Sequence, residues 1–189
     1  MHINTPNKEV VSKNVLVLSE VHEGGEWFAN IRLFEAVNRV AGNFVKFSLI
    51  GFKRNKLDYS KHFSETHLLN HSIAEKPQIF HKILILKLFI SDLFTVRKQI
   101  NLSLSKQSFD FLWATYYFMV LPCLTLTPSR RRKIILYYQG TRTEAFKKYF
   151  DLDFEQKIVA LLEFIALVLA DFVVVPSNAT IKFIKNKLG

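Results

Sequence analysis

The feature that most constrains this chain is an alternation: short, continuous apolar runs separated by segments whose apolar residues recur at helical spacing. The run "NVLVLS" (14–19) has no polar face, as expected of a parallel strand covered on both sides. Over residues 26–41, Trp27, Ile31, Phe34, Val37 and Ala41 fall on one helical stripe, and Gly42 stands where a helix C-terminal glycine belongs. A second strand is expected at "FVKFSLIGF" (44–52). Strand, helix and strand in this order spell a βαβ unit.

The alternation resumes after residues 53–78, a polar stretch rich in Lys, Asn, Ser and His that reads as a long loop with room for a short helix. Residues 79–106 read as a long helix, with a strand reading left open for "ILILKLFI". Strands are expected again at "FDFLWATYY" (109–117), "KIILYYQ" (133–139) and "DFVVVP" (171–176). Between the last two, Asp153 and Gln156 form a capping pair for a helix running to about Ala170. Ser177 caps a closing helix whose Ile181, Ile184 and Leu188 share an apolar face. The expected fold class is α/β: a Rossmann-like, doubly wound, mainly parallel sheet with helices on both faces, one domain over residues 1–189. A hydrophobic content of 49% suffices for such a core.

One stretch argues for a membrane span. "FLWATYYFMVLPCLTLTPS" (111–129) carries no charge and meets "RRRK" at once, the stop-transfer pattern. Pro122 and the closing "TLTPS" interrupt it, so a buried strand followed by a short apolar helix or turn is the preferred reading. No apolar signal core precedes the first strand, and Cys123 is the single cysteine. Both point to a reducing, cytoplasmic setting, with peripheral contact to the inner membrane face left open. The 26 Lys and Arg against 16 Asp and Glu give a net charge of +10, which suits an anionic partner: phosphate, nucleic acid or an acidic membrane.

In a doubly wound sheet, ligands sit beyond the carboxyl ends of the strands, nominating residues 22–26, 139–143 and 177–178. Gly24 and Gly25 follow the first strand and lead into a helix N-terminus, whose free N–H groups can accept an anion; the alternative is a loop needing positive φ. No G-x-G-x-x-G or P-loop is present. The second strand ends in "GFKR", where Lys53 and Arg54 give only thin support to a dinucleotide 2′-phosphate site. His67 and His71, with His62 nearby, lack a further convergent ligand and read as solvated loop residues, so no metal is expected. No G-x-S-x-G elbow supports a hydrolase. Arg130, Arg131, Arg132 and Lys133 form either a solvated loop end or a patch for lipid headgroups or an anionic substrate. Nucleic acid is not expected, because no recognition motif accompanies the run.

Taken in order, the strand with its GG loop and helix, then "FDFLWA", "KIILYYQGTR" and "LLEFIALVLADFVVVPSNATIKFIKNKLG", resembles the N-terminal domain of a family 4-type, GT-B-fold glycosyltransferase. The most specific piece is the spacing of Glu163, Ala170, Asp171 and Ser177, which matches the family's E…AD-x-(apolar)₃-x-S arrangement. The resemblance implies a nucleotide-diphosphate sugar as substrate, no cofactor, and a saccharide or lipid-linked acceptor in polysaccharide or glycolipid synthesis. It places Gly24 and Gly25 beside the donor diphosphate. Glu23 and Arg142 are candidate acceptor or phosphate contacts, although Arg142 reads equally as a solvated arginine at a helix start. Many members carry a histidine where this chain has Gln139, which can hydrogen-bond a sugar hydroxyl but cannot titrate as a base. The donor-binding C-terminal domain is expected from elsewhere, in cis or in trans. The alternative function is a non-catalytic module docking on a membrane or a partner protein.

Overall fold

A computed structural model describes residues 12–21, 25–42, 44–53, 61–70, 82–115, 117–138 and 153–188. In chain order these form β1 (Lys13–Val21), α1 (Gly25–Val40), β2 (Val45–Lys53), β3 (Glu65–Asn70) and α2 (Lys82–Lys106). There follow β4 (Phe111–Ala114), α3 (Tyr117–Leu124), a 3₁₀ turn (Pro128–Arg130), β5 (Lys133–Tyr137), α4 (Asp153–Leu169), β6 (Phe172–Val174) and α5 (Asn178–Leu188). The six strands make one sheet in the order β3-β2-β1-β4-β5-β6, every neighbouring pair parallel. The expected doubly wound α/β fold is the observed one.

Register explains why the strands are apolar throughout. Leu16, Leu112 and Ile134 stand in line across β1, β4 and β5, and Leu18, Ala114 and Leu136 repeat the line two residues on. These side chains meet Val96 and Ile100 of α2, Met119 and Cys123 of α3, and Ala166 and Leu167 of α4 in one buried cluster. The alternate residues Val15, Val17 and Trp113 point to the opposite face, where Ile31 and Phe34 of α1 cover them. Phe34 is the hub there: its ring lies 5.0 Å from Phe47, 6.0 Å from Phe63 and 5.4 Å from Trp113, the last two edge-on. Each such burial stabilises the fold by roughly 1.5–3 kcal/mol.

Two aspartates set the parallel register at the amino ends of the strands. Asp110, immediately before β4, accepts the N–H of Asn14 at 2.9 Å, and Asn14 precedes the pair Val15–Phe111. Asp171, immediately before β6, accepts the N–H of Ile134 at 2.8 Å, and Ile134 precedes the pair Ile135–Phe172. The two "DF" steps that open strands thus use one device at two strand pairs. Lys13 Nζ adds an ion pair to Asp110 at 3.0 Å.

Gly42 closes α1 as expected, with φ +64° and its N–H donated to Arg39 O; an added Cβ would come within 3.0 Å of the Phe44 ring. Other expectations need correction. The polar stretch 53–78 contains a strand, β3, missed because an edge strand bonds on one side and needs no apolar run. His67 consequently lies on a strand, not in a loop. The segment "ILILKLFI" is helical, within α2. The uncharged run 111–129 is divided among β4, α3 with Pro122 inside it, and the 3₁₀ turn. No helix among the described residues is long and apolar enough to cross a membrane. The closing helix is capped by Ser177, whose Oγ accepts the Thr180 N–H, and Ile184 packs on the core, but Ile181 is exposed.

Replacing Asp110 or Asp171 with Ala is expected to lower unfolding stability by about 1–3 kcal/mol in denaturant titrations, because each removes a charged acceptor from a strand N–H. Burial pushes the Asp110 carboxyl up, but the Asn14 N–H, the Lys13 ammonium and the Arg132 charge outweigh it and hold its pKa below the ordinary 3.8. The folded state therefore favours the carboxylate, so its contribution is complete above that ordinary value and is lost as pH falls through the lowered one. Asp110→Asn should flatten the acid limb of the stability profile.

Candidate functional site

The strand order reverses between β1 and β4: from β1 the chain winds outward through β2 and β3, then returns to lay β4 on β1's other side. α1 leaves on one face while α2 enters from the other, so a crevice opens at the carboxyl ends of these two strands. Its floor is polar and closed. Ser19, where β1 emerges, and Thr115, just past β4, are both buried, and Thr115 Oγ1 donates to Ser19 Oγ at 2.7 Å. Thr115 N–H also donates to Leu18 O at 3.0 Å, extending the pairing one step beyond the ladder.

β1 ends at Val21 and α1 opens at Gly25, so Gly25 stands at the helix N-terminus on the side of this crevice. The first N–H groups of α1 have no acceptor within the helix and emerge at the carboxyl end of the sheet, the arrangement that favours an anion. Glu23 and Gly24 lie outside the described residues.

The neighbouring wall is built where β5 ends. Tyr138 donates its N–H to Val174 O at 2.8 Å and its hydroxyl to Glu163 Oε1 at 2.7 Å, with both side chains buried. Glu163 reaches this point from α4, so the position at which the chain leaves β5 is pinned from the strand side and the helix side. Gln139 and Arg142 follow directly in sequence but lie outside the described residues. The structure therefore brings together the turn at Gly25, the Ser19–Thr115 floor and the Tyr138–Glu163 anchor. Sequence reading missed Ser19, Thr115 and Tyr138 as parts of the site. Their signal was the switch from aliphatic to hydroxyl-bearing residues at the end of each apolar run.

The basic run lies elsewhere. Arg130, Arg131, Arg132 and Lys133 precede or begin β5, at the amino end of the sheet and away from the crevice. Arg130 donates to Asn101 Oδ1 at 3.0 Å, and Arg132 donates through Nε to Phe109 O at 2.8 Å and through Nη1 to the carbonyls of Ser129 and Arg131. Lys133 Nζ stands 5.8 Å from the centre of the Phe172 ring. Arg132 thus spends its guanidinium on tying the turn that feeds β5 to Phe109, just ahead of β4. Among the described residues no group of His, Cys, Asp and Glu is placed to hold a metal. His67 lies 2.8 Å from Glu65 and His62 lies 3.3 Å from Glu35, two separate local pairs. Burial pushes the Cys123 thiol up to about 12, an inert core residue.

No protein-family model matches the chain, and no curated protein matches it in sequence. Solved structures do match its shape. Sucrose-phosphate synthase from Thermosynechococcus elongatus superposes with a TM-score of 0.61 at 16% identity, over 92% of this chain and 45% of that one. The fold is one half of a GT-B architecture. UGT89C1 of Arabidopsis thaliana, solved with UDP, gives a TM-score of 0.57 at 14% identity, over 93% of this chain and 48% of its own. A UDP-N-acetylglucosamine 2-epimerase, so described, from Listeria monocytogenes gives 0.57 at 7% identity, over 95% and 43%. The chain spans under half the length of each.

Removing the buried hydroxyl by Tyr138→Phe is expected to lower stability by about 1–3 kcal/mol in thermal or denaturant unfolding, since the buried Glu163 loses a hydrogen-bond donor. Tyr138→Phe combined with Glu163→Gln should cost less than the sum of the two single changes, and additivity within error would count against the coupling.

Proposed function

We propose that the chain is the acceptor-binding half of a sugar-nucleotide-dependent glycosyltransferase acting in polysaccharide or glycolipid assembly. The observation that supports this reading is Gly25 at the N-terminus of α1, beside the β1–β4 reversal of a half-GT-B fold. There the N–H groups of the Gly24–Gly25 turn hold the donor diphosphate and stabilise it as it departs, the electrostatic help that such a leaving group needs. Glu23 and Arg142 contact the acceptor or a phosphate. Gln139 orients a sugar hydroxyl without exchanging a proton. The Tyr138–Glu163 anchor fixes where Gln139 enters the crevice, and the Ser19–Thr115 floor keeps β1 and β4 together beneath it.

The nucleotide and most of the sugar are gripped by a second domain, supplied in cis or in trans. Transfer is favoured over epimerisation by the Glu163, Ala170, Asp171 and Ser177 spacing together with the glycine turn. In the structure Glu163 anchors Tyr138, Asp171 holds the β5–β6 register and Ser177 caps α5.

Titration of the chain with UDP-sugars and GDP-sugars, followed by ligand-observed NMR, is expected to show weak binding. Gly24→Val should weaken it on the order of tenfold, or about 1.4 kcal/mol. Absence of binding by every sugar nucleotide, or binding indifferent to Gly24→Val, would remove the proposed diphosphate site. Robust transfer by the 189-residue chain alone would contradict the half-site assignment. Interconversion of sugar epimers without any acceptor would replace transfer by epimerisation.

A further inference from the structure

The helical layer on one face of the sheet has an unusual exterior. Val96 and Ile100 of α2 and Ala166 and Leu167 of α4 enter the same core cluster, so the opposite faces of both helices turn outward on the same side of the molecule. On α2 that outward face carries Ile90, Phe94 and Leu102, with Phe94 62% exposed. On α4 it carries Leu161, Phe164 and Val168 at i, i+3 and i+7, with Leu161 56% and Val168 57% exposed. Single exposed apolar residues are ordinary, but six on the outer side of one layer are the kind of load that marks an interaction surface.

Among the described side chains of α2 and α4, the exposed charges have one sign. Lys98 sits exposed beside Phe94 on α2, Arg97 flanks it with one Nη donated to Thr125 O at 3.1 Å, Arg130 joins them through its bond to Asn101, and Lys157 continues the α4 stripe. The carboxylates of α2 and α4 whose side chains are described, Asp92 and Glu163, are both buried on the core side. The outward face therefore combines aliphatic and aromatic side chains with cations and, among the described side chains of these two helices, shows no exposed carboxylate. A second copy would bring the same cations onto themselves, in a chain of net charge +10. Nucleic acid would find cations, but Ile, Leu and Val offer no stacking platform for its bases. An anionic lipid interface matches both components, since it buries apolar side chains at the headgroup boundary and attracts lysine and arginine.

We propose that the outer faces of α2 and α4 seat the protein on an anionic lipid bilayer. The helices lie on the face of the sheet, so the bilayer runs alongside the sheet and the carboxyl-end crevice opens beside the membrane surface. The assignment stands independently of what the crevice binds.

Flotation of the purified chain with phosphatidylcholine vesicles, with and without about one third phosphatidylglycerol, tests this. Binding is expected only to the anionic vesicles and should fall with added salt. Phe94→Glu and Phe164→Glu should each reduce the bound fraction roughly tenfold, by placing a charge at the apolar contact. The double change Lys98→Glu with Lys157→Glu should do the same by reversing the attraction. Val40→Glu, at a 90% exposed apolar position on α1 across the sheet, should leave binding unchanged. Circular dichroism melts confirm that each variant is folded. The proposal is overturned if anionic vesicles are not bound, or if folded Phe94→Glu and Phe164→Glu bind them as the parent does. Lipid-free dimerisation abolished by the same two changes would assign the face to a second copy. An oligonucleotide that displaces the vesicles and still binds Phe94→Glu would assign it to nucleic acid.

Discussion

Everything in this fold hangs on the parallel register of β1, β4, β5 and β6, and two aspartates hold it. A strand's side chains alternate between faces, so a slip of one residue would send Leu16 and Leu18 to the α1 side and Val15 and Val17 to the other. Asp110 and Asp171 remove that ambiguity in the same manner: each stands before a short strand and accepts an N–H at the start of a neighbouring one. The device suits strands as brief as β4 and β6, which have four and three residues and few ladder bonds of their own. Both apolar clusters can then form without competing alignments.

Register fixed at the amino ends determines which residues meet at the carboxyl ends. Ser19 finds Thr115 because Leu18 is paired with Ala114, and Tyr138 lies next to Val174 because Tyr137 is paired with that residue. The crevice is thus assembled by pairings settled at the far end of the sheet. Its polar groups are spent on one another: the Thr115 hydroxyl on Ser19, the Tyr138 hydroxyl on Glu163. Such satisfied, buried pairs make a rigid rim. A rigid rim is what a turn holding a ligand through backbone N–H groups requires, since those groups cannot adjust as side chains do.

The order of strands and helices was legible because the inner strands are covered on both faces and read as unbroken apolar runs. β3 was not, since an edge strand such as "ETHLLN" satisfies half its backbone elsewhere and needs no such run. The position of Gly25, between the end of β1 and the body of α1, could be read from sequence. The resemblance marked Glu163 and Asp171, but not what they do, because a contact between Glu163 and Tyr138 or between Asp171 and Ile134 exists only once the register is set. The repeated "DF" step was visible as letters without its meaning. Ser19 and Thr115 looked like ordinary ends of strands.

The basic run shows why local charge density is a poor guide to where charge acts. "SRRRK" is the most concentrated cationic stretch in the sequence, yet Arg132 is consumed by the Phe109 carbonyl and by carbonyls of its own turn, and Arg130 is tied to α2. Lys98 and Lys157 are scattered through apolar helices and attract no notice as a motif. They gain weight because α2 and α4 place their described carboxylates, Asp92 and Glu163, on the core side. An amphipathic helix is normally polar outward, and these two have inverted part of that pattern: acids within, cations and apolar side chains without. Such an inversion costs solvation in water and is relieved by an anionic, apolar boundary. The sign of a surface is therefore decided by which charges a helix buries as much as by which it displays.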